Sequence, residues 1–356
     1  MKLQLQFLSI AIALLSVAAA SCGGPEQSQP VHPEKNAVYY WKTTFNTDSA
    51  DCNLLLRHKI GRVYMRMFDV VADIYPYDNK VENRVVPNAS IRICDPRNRL
   101  AEDLAKIEFV PVVYITLEAL KAMKSHEGTL ASNIVTRVRN MCEYNGLRNV
   151  SELQLDCDWT PSTENSFFSL CDSTRRILRT SEYGWSLSST IRLHQLARKV
   201  PPVDRGVLMV YNTGSFDNPD AANSIIDVRP YLKRLSSYDL HLDVAYPTYS
   251  WQLLFRDRRF VGLMDDANLE DTSAFARRRN NVYVALRDIP YHNIIIRAGD
   301  MVRIETSAFA DIARVKDMIE QRLSERPHSN ILYHLDFENL SKYTPNEINK
   351  ILSTDR

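Results

Sequence analysis

Glu152-Leu153-Gln154-Leu155-Asp156-Cys157-Asp158-Trp159 alternates polar and apolar side chains. Gln154, Asp156 and Asp158 therefore share one face of a strand, and Leu155, Cys157 and Trp159 the other. A parallel strand covered on both sides is normally apolar throughout. One that keeps acids on a face needs either a polar interior or an open mouth to put them in, because a buried, unpaired charge costs several kcal/mol.

The pattern recurs along the chain. Thr190, Arg192 and His194 fall on one face, as do His334, Asp336 and Glu338; His241 and Asp243 form a shorter pair, and Tyr64-Met65-Arg66-Met67-Phe68 contributes Arg66. Eight strand candidates carry these residues or their neighbours: Ala37–Phe45, Gly61–Phe68, Phe109–Thr116, Glu152–Trp159, Gly184–Leu193, Gly206–Asn212, Leu240–Pro247 and Asn330–Phe337. Amphipathic segments alternate with them: Asp51–Lys59, Arg99–Ile107, Ala131–Tyr144, Ser162–Arg179, Ala221–Leu235 (interrupted by Pro230) and Phe309–Leu323. A final helix opens at Thr344-Pro345-Asn346-Glu347, which combines an N-cap, a proline at the first turn and a capping-box partner. Strand–helix alternation implies parallel pairing through crossover helices. Eight such units predict an α/β fold, a (β/α)8 TIM-like barrel, with an open doubly wound sheet as the alternative. Two intervals are too long for simple crossovers. Val70–Pro96 reads as an insertion after strand two, and Val282–Arg287 with Ile294–Thr306 as a β-hairpin inserted after strand seven. Residues 37–356 are expected to form a single domain.

The first residues have another purpose. Met1-Lys2, an apolar core from Leu3 to Ala20, and Ala18-Ala19-Ala20-Ser21-Cys22 form a secretory signal ending in a lipobox, with Cys22 as the lipidated residue. Residues 22–36 then make a short tether. Gly23 follows Cys22, so an outer-membrane lipid anchor in a Gram-negative envelope is the expectation. The remaining chain is ordinary in composition, with 45% hydrophobic and 24% charged residues. Lys and Arg number 44 against 43 Asp and Glu, which gives no electrostatic case for nucleic acid. No CxxC, HxH, HExxH, Walker A, GxGxxG or GxSxG occurs, so neither a metal nor a cofactor is expected. The later cysteines, five in all, leave at least one thiol unpaired, and oligomeric state is left open.

The segment Leu153–Thr160, together with Thr190–Gln195 and Val210-Tyr211-Asn212-Thr213, resembles an uncharacterised family of Bacteroidota-type lipoproteins. More distantly it is similar to the chitinase-like group of TIM-barrel glycoside hydrolases, whose fourth strand ends in alternating acids and a catalytic Glu. Aligning Asp156 and Asp158 with those acids puts Thr160 at the Glu position; sliding the match puts Asp158 at the Glu position and leaves Gln154 where an acid is expected. The resemblance implies a carbohydrate ligand, a polysaccharide or oligosaccharide, that is bound or hydrolysed. Hydrolysis needs two carboxyl groups about 5–10 Å apart. Asp158 is the candidate acid, Asp243 or Glu338 its partner, and Asp156 a like-charged neighbour that tunes it. Arg66, Arg192, His194, His334, Asp336 and Asn212 are candidate ligand contacts. Trp41, Trp159, Tyr211, Tyr246, Tyr249 and Trp251 suit sugar stacking. A binding module without catalysis, or an assembly lipoprotein with a purely structural ion network, are the rival readings.

Overall fold

The computed structural model describes residues 34–46, 50–73, 80–94, 104, 106–211, 218–220, 228–264, 267–279, 281–323 and 327–354. The signal segment, Cys22, most of the tether and Asn212 lie outside them.

Eight parallel strands close on themselves: β1 (Ala37–Tyr40), β2 (Arg62–Ala72), β3 (Glu108–Ile115), β4 (Glu152–Asp156), β5 (Ser186–Arg192), β6 (Arg205–Met209), β7 (Leu242–Pro247) and β8 (Asn330–Tyr333). Each pairs with the next in chain order. β1 pairs with both β2 and β8, which makes a barrel and excludes the open sheet. All eight expected strand segments overlap a barrel strand. Each strand divides its side chains by parity. Val63, Met65, Leu153, Leu155, Leu208, Val244 and Leu332 face outward into the core under the helices. Tyr39, Tyr64, Val110, Val112, Val207, Met209, Ala245 and Ile331 fill the inside. The polar residue at mid-barrel is satisfied: Tyr39 donates to Gln154 Oε1 at 2.6 Å, and Gln154 Nε2 donates to Ser188 Oγ at 3.1 Å. Gly206 of β6 is required by close approach, since a Cβ there would stand 2.8 Å from Leu242 Cδ2 and 2.9 Å from Leu240 Cδ2.

The helices are α1 (Ala50–Arg57), α2 (Leu117–Ala122), α3 (Glu127–Tyr144), α4 (Glu164–Thr180), α5 (Phe309–Leu323), α6 (Phe337–Leu340) and α7 (Pro345–Leu352). α4 buries Phe167, Leu170, Cys171, Thr174 and Leu178 along one stripe. α7 has the expected capping box, Thr344 and Glu347 each accepting from the other's backbone N–H. The expected helix Arg99–Ile107 lies mostly outside the described residues. Of Ala221–Leu235, residues 221–227 lie outside them, and after Pro230 the chain makes a 3-10 turn over Leu232–Ser237 instead.

Both insertions follow strands. After β2, Val85–Asn88 doubles back antiparallel on Val70 and its neighbours, and Arg92–Cys94 pairs with Thr44–Asn46, a strand distinct from β1. After β7 the insertion is larger than a hairpin. Ser250–Arg256, Arg259–Met264, Phe275–Arg277, Val282–Ala285 and Met301–Thr306 form a five-stranded antiparallel sheet. Ile289–Tyr291 and Ile294–Ile296 form a small hairpin within it. Among the described residues no helix is long and apolar enough to cross a membrane.

Candidate functional site

The C-terminal ends of the strands make a polar mouth centred on Arg192. β5 ends at Arg192, and its inward parity places Thr190 and Arg192 beside β4. Arg192 Nη2 donates to Asp156 Oδ1 at 3.0 Å, and Arg192 Nε donates to Asp158 Oδ1. Thr190 Oγ1 adds a hydrogen bond to Asp156 Oδ1 at 2.5 Å. One guanidinium thus binds both aspartates of the alternating motif. Their surroundings differ: the Asp156 side chain is 3% exposed and that of Asp158 is 48% exposed. Burial raises the Asp156 carboxyl above its usual range and Asp158 pushes it the same way, against the pull of Arg192 and the Thr190 bond. Tyr114 of β3 stands near both acids, its phenol raised first by burial and then by Asp158 and Asp156.

Arg66 lies on the neighbouring strand. Its Nε donates to Asp69 Oδ1 at 2.7 Å, its Nη2 to Asp69 Oδ2, and its guanidinium sits 5.4 Å from the Trp41 ring centroid. A bulge between Arg66 and Phe68 shifts the phase of β2 and brings Asp69 onto the inner side. Around these charges runs an aromatic chain. Trp41 and Tyr333 are 5.8 Å apart, Tyr333 and Tyr211 4.8 Å, Tyr211 and Tyr249 5.9 Å, and Tyr249 stacks on Trp251 at 3.7 Å. The guanidinium of Arg192 lies 5.9 Å from the Tyr211 ring. Trp41 and Trp251 are only partly buried, and they present aromatic surface at the rim.

Of the expected site residues, Asp156, Asp158, Arg66, Arg192, Tyr211, Trp41, Tyr249 and Trp251 meet here. The other described ones do not. Asp243 is the second residue of β7, so it lies at the opposite end of the barrel, wholly buried, 2.5 Å from Arg205 Nη2. It is no partner for Asp158. Against its burial, His241 and Arg205 hold its carboxyl below the ordinary range. Glu338 is exposed on α6, after the strand has ended. β8 stops at Tyr333, and Ile331 and Tyr333, not His334, point inward; the expected face is off by one residue. Asp336 instead caps α6, accepting from Asn339 N at 2.8 Å, and pairs with Lys42 at 2.7 Å. Lys42 also holds Asp51 at 2.9 Å. His334 is beside this cluster, its imidazole shifted down by burial. His194 is exposed on the 3-10 turn Leu193–Ala197 after β5. Trp159 and Tyr246 face outward: Trp159 stacks 6.2 Å from Phe167 of α4, and Tyr246 joins the core under the helices. Asn212 lies outside the described residues.

Tyr333, Tyr114 and Asp69 were not foreseen. Parity on β3 would have found Tyr114, which shares a face with Val110 and Val112; the β2 bulge hides Asp69 from any regular alternation. Thr160 is engaged in local turn hydrogen bonds. Its N–H donates to Thr163 Oγ1 at 2.9 Å and its hydroxyl is 2.9 Å from Ser162 Oγ, so it shapes the entry to α4. Among the described residues no group of three or more His, Cys, Asp and Glu is arranged to hold a metal ion.

The fold matches that of a GH18 chitinase from Cycas revoluta solved in complex with (GlcNAc)4, with a TM-score of 0.51, 9% identity, and coverage of 89% of this chain and 99% of that one. A Group II chitinase catalytic domain from Ostrinia furnacalis aligns at TM-score 0.49 and 10% identity, over 90% of this chain and 95% of that one. The spore cortex-lytic enzyme SleL of Bacillus cereus aligns at 0.47 and 12%, over 89% and 74%. No protein-family model matches the sequence. No curated protein matches it either. The chain shares the closed (β/α)8 architecture of the Cycas revoluta structure.

Proposed function

We propose that this chain is a lipid-anchored glycan-binding barrel of the bacterial cell envelope, which holds an oligosaccharide at its C-terminal mouth without cleaving it. The observation that carries this reading is Arg192. Its guanidinium is bonded to both aspartates of the motif, and in the alignment that pairs them with the alternating acids the Glu position has Thr160, whose hydroxyl is engaged in a turn. Two-carboxylate hydrolysis needs a protonated acid and a second carboxylate across the scissile bond, and Asp243 is at the far end of the barrel and Glu338 outside the Arg192 cluster; a substrate-assisted route still needs one free acid, and Asp156 and Asp158 are both bonded to Arg192. What remains suits binding: partly buried Trp41 and Trp251 for the apolar faces of sugar rings, and half-exposed Asp158 for a hydroxyl. The oligosaccharide in the Cycas revoluta complex supports the same ligand class. The sequence up to Cys22 supports the anchor.

A hydrolase reading keeps one observation in its favour: Asp158 is half exposed beside Asp156, whose carboxyl is raised. Both readings are tested together by calorimetric titration with chito-oligosaccharides and other envelope glycans, with mass-spectrometric analysis of the same mixtures. Binding with no shorter products, and binding weakened at least tenfold in W251A, is the expected result. Released shorter sugars that disappear in D158N would replace the binding module with an enzyme. Absence of binding across the glycans would remove both.

A further inference from the structure

The opposite end of the barrel has a second constellation, independent of whatever the mouth binds. The first inward residues of β2, β3, β4, β6 and β7 are Arg62, Glu108, Glu152, Arg205 and Asp243, all buried. Lys35 reaches Glu108 Oε2 at 3.1 Å, and Arg62 Nε donates to the same oxygen at 3.0 Å. Arg205 Nη2 is used by Asp243 Oδ2 at 2.5 Å and lies 3.1 Å from His241 Nε2. Ser329 N donates to Asp243 Oδ1 at 2.8 Å. Glu152 is left without a hydrogen bond of ordinary length, although the Ser188 hydroxyl is near enough to draw its carboxyl down. Both of its carboxyl oxygens, the Tyr64 hydroxyl and Arg205 Nε are buried without a hydrogen-bond partner, although Glu152 and Tyr64 are wholly inaccessible to solvent. Orphan polar atoms at such density are rare in a folded protein and need an explanation.

We propose that the N-terminal half of the barrel is an internal hydration site, where water bridges the Glu152 carboxyl, the Tyr64 hydroxyl and Arg205 Nε. Three features fix the chemical class. Polar internal spaces take up water, whereas apolar ones stay dry. The layer above carries the short side chains Val110, Val207 and Ala245 beside Tyr64 and Ser188. The charges balance, with Lys35, Arg62 and Arg205 against Glu108, Glu152 and Asp243, so the guest is neutral rather than an ion. Burial raises the Glu152 carboxyl above its usual range, against the pull of Arg205, Arg62 and the Ser188 hydroxyl. His241, partly exposed at the rim beside Arg205, marks the route in.

Oxygen-17 relaxation dispersion on the full chain counts long-lived internal water, and a high-resolution crystal structure locates it. The expected result is at least one water within hydrogen-bond distance of both Glu152 and Tyr64, kept in E152Q and lost in E152M with a fall in dispersion amplitude. Should E152M not fold, Y64F gives the same readout by removing one bridged partner. A direct Glu152–Arg205 or Glu152–Tyr64 contact with no water between, or dispersion unchanged by the folded variants, would overturn the proposal.

Discussion

At the scale of single residues, Arg192 decides what the mouth can do. It holds a buried carboxylate and a half-exposed one in the same grip. Removing one partner of a buried pair leaves the other uncompensated, at about 3–5 kcal/mol. R192M is expected at the low end, about 3 kcal/mol by urea denaturation at pH 7. The loss should shrink as pH falls, because Asp156, already raised, takes up a proton and no longer needs the cation. An R192M defect that is flat with pH would show that Asp156 is not the stranded charge. The motif around Arg192 was legible because β4 and β5 alternate regularly up to their ends. Asp69 was not, since the bulge after Arg66 breaks the period, and His334 was misread because Ile331 and Tyr333 set the inward face of β8, which ends at Tyr333, four residues before the expected Phe337. A pattern of period two gives the face correctly only while its starting residue is right.

Elements bring in a second dimension, position along the strand, which alternation does not report. Asp243 has the inward parity expected of it, yet it starts β7 rather than ending it, and so joins the floor. Two acids of that floor should respond to pH with opposite sign. The Glu108 carboxyl, against its burial, is lowered by Arg62, Ser151 and Lys35 from 4.5 to about 2. Its stabilisation is whole above pH 4.5 and is lost as pH falls toward 2. The Glu152 carboxyl is raised above 4.5 by burial, so its contribution is whole below pH 4.5 and declines as pH rises through the raised value. E108Q is therefore expected to cost about 2 kcal/mol at pH 7 and to flatten the acid limb. E152Q is expected to gain about 1 kcal/mol at pH 7 and nothing at pH 4. Denaturation curves from pH 3 to 8 check both; equal slopes in the two variants would contradict the assignment. Trp159 gives the matching contrast at β4. It faces α4, wholly buried against Phe167 and Phe168, so W159A should lose about 3–5 kcal/mol of stability while the folded fraction binds as before.

At the scale of the whole molecule, the repeat of strand and helix sufficed to predict a closed barrel, because parallel strands joined by crossover helices have few other ways to cover both faces. The sheet after β7 escaped that reading. Its strands are three to seven residues long and its apolar positions follow no single period, so only the part near Val282–Thr306 stood out. Yet this sheet starts immediately after Tyr249 and carries Trp251, which ties it to the aromatic chain of the mouth. Fold and site are thus joined at one end of the barrel, with the ion network at the other, and the anchor expected at Cys22 would leave the barrel whole without it. C22S expressed in an envelope-competent Gram-negative host should therefore move the chain from the membrane pellet to the soluble fraction, since stable anchoring depends on the acyl chains. The soluble variant should keep the wild-type urea midpoint and the wild-type affinity for any glycan that titrates. A C22S chain that stays in the pellet after carbonate washing would mean that something other than the lipid holds it there, and the anchor would have to be sought elsewhere on the chain.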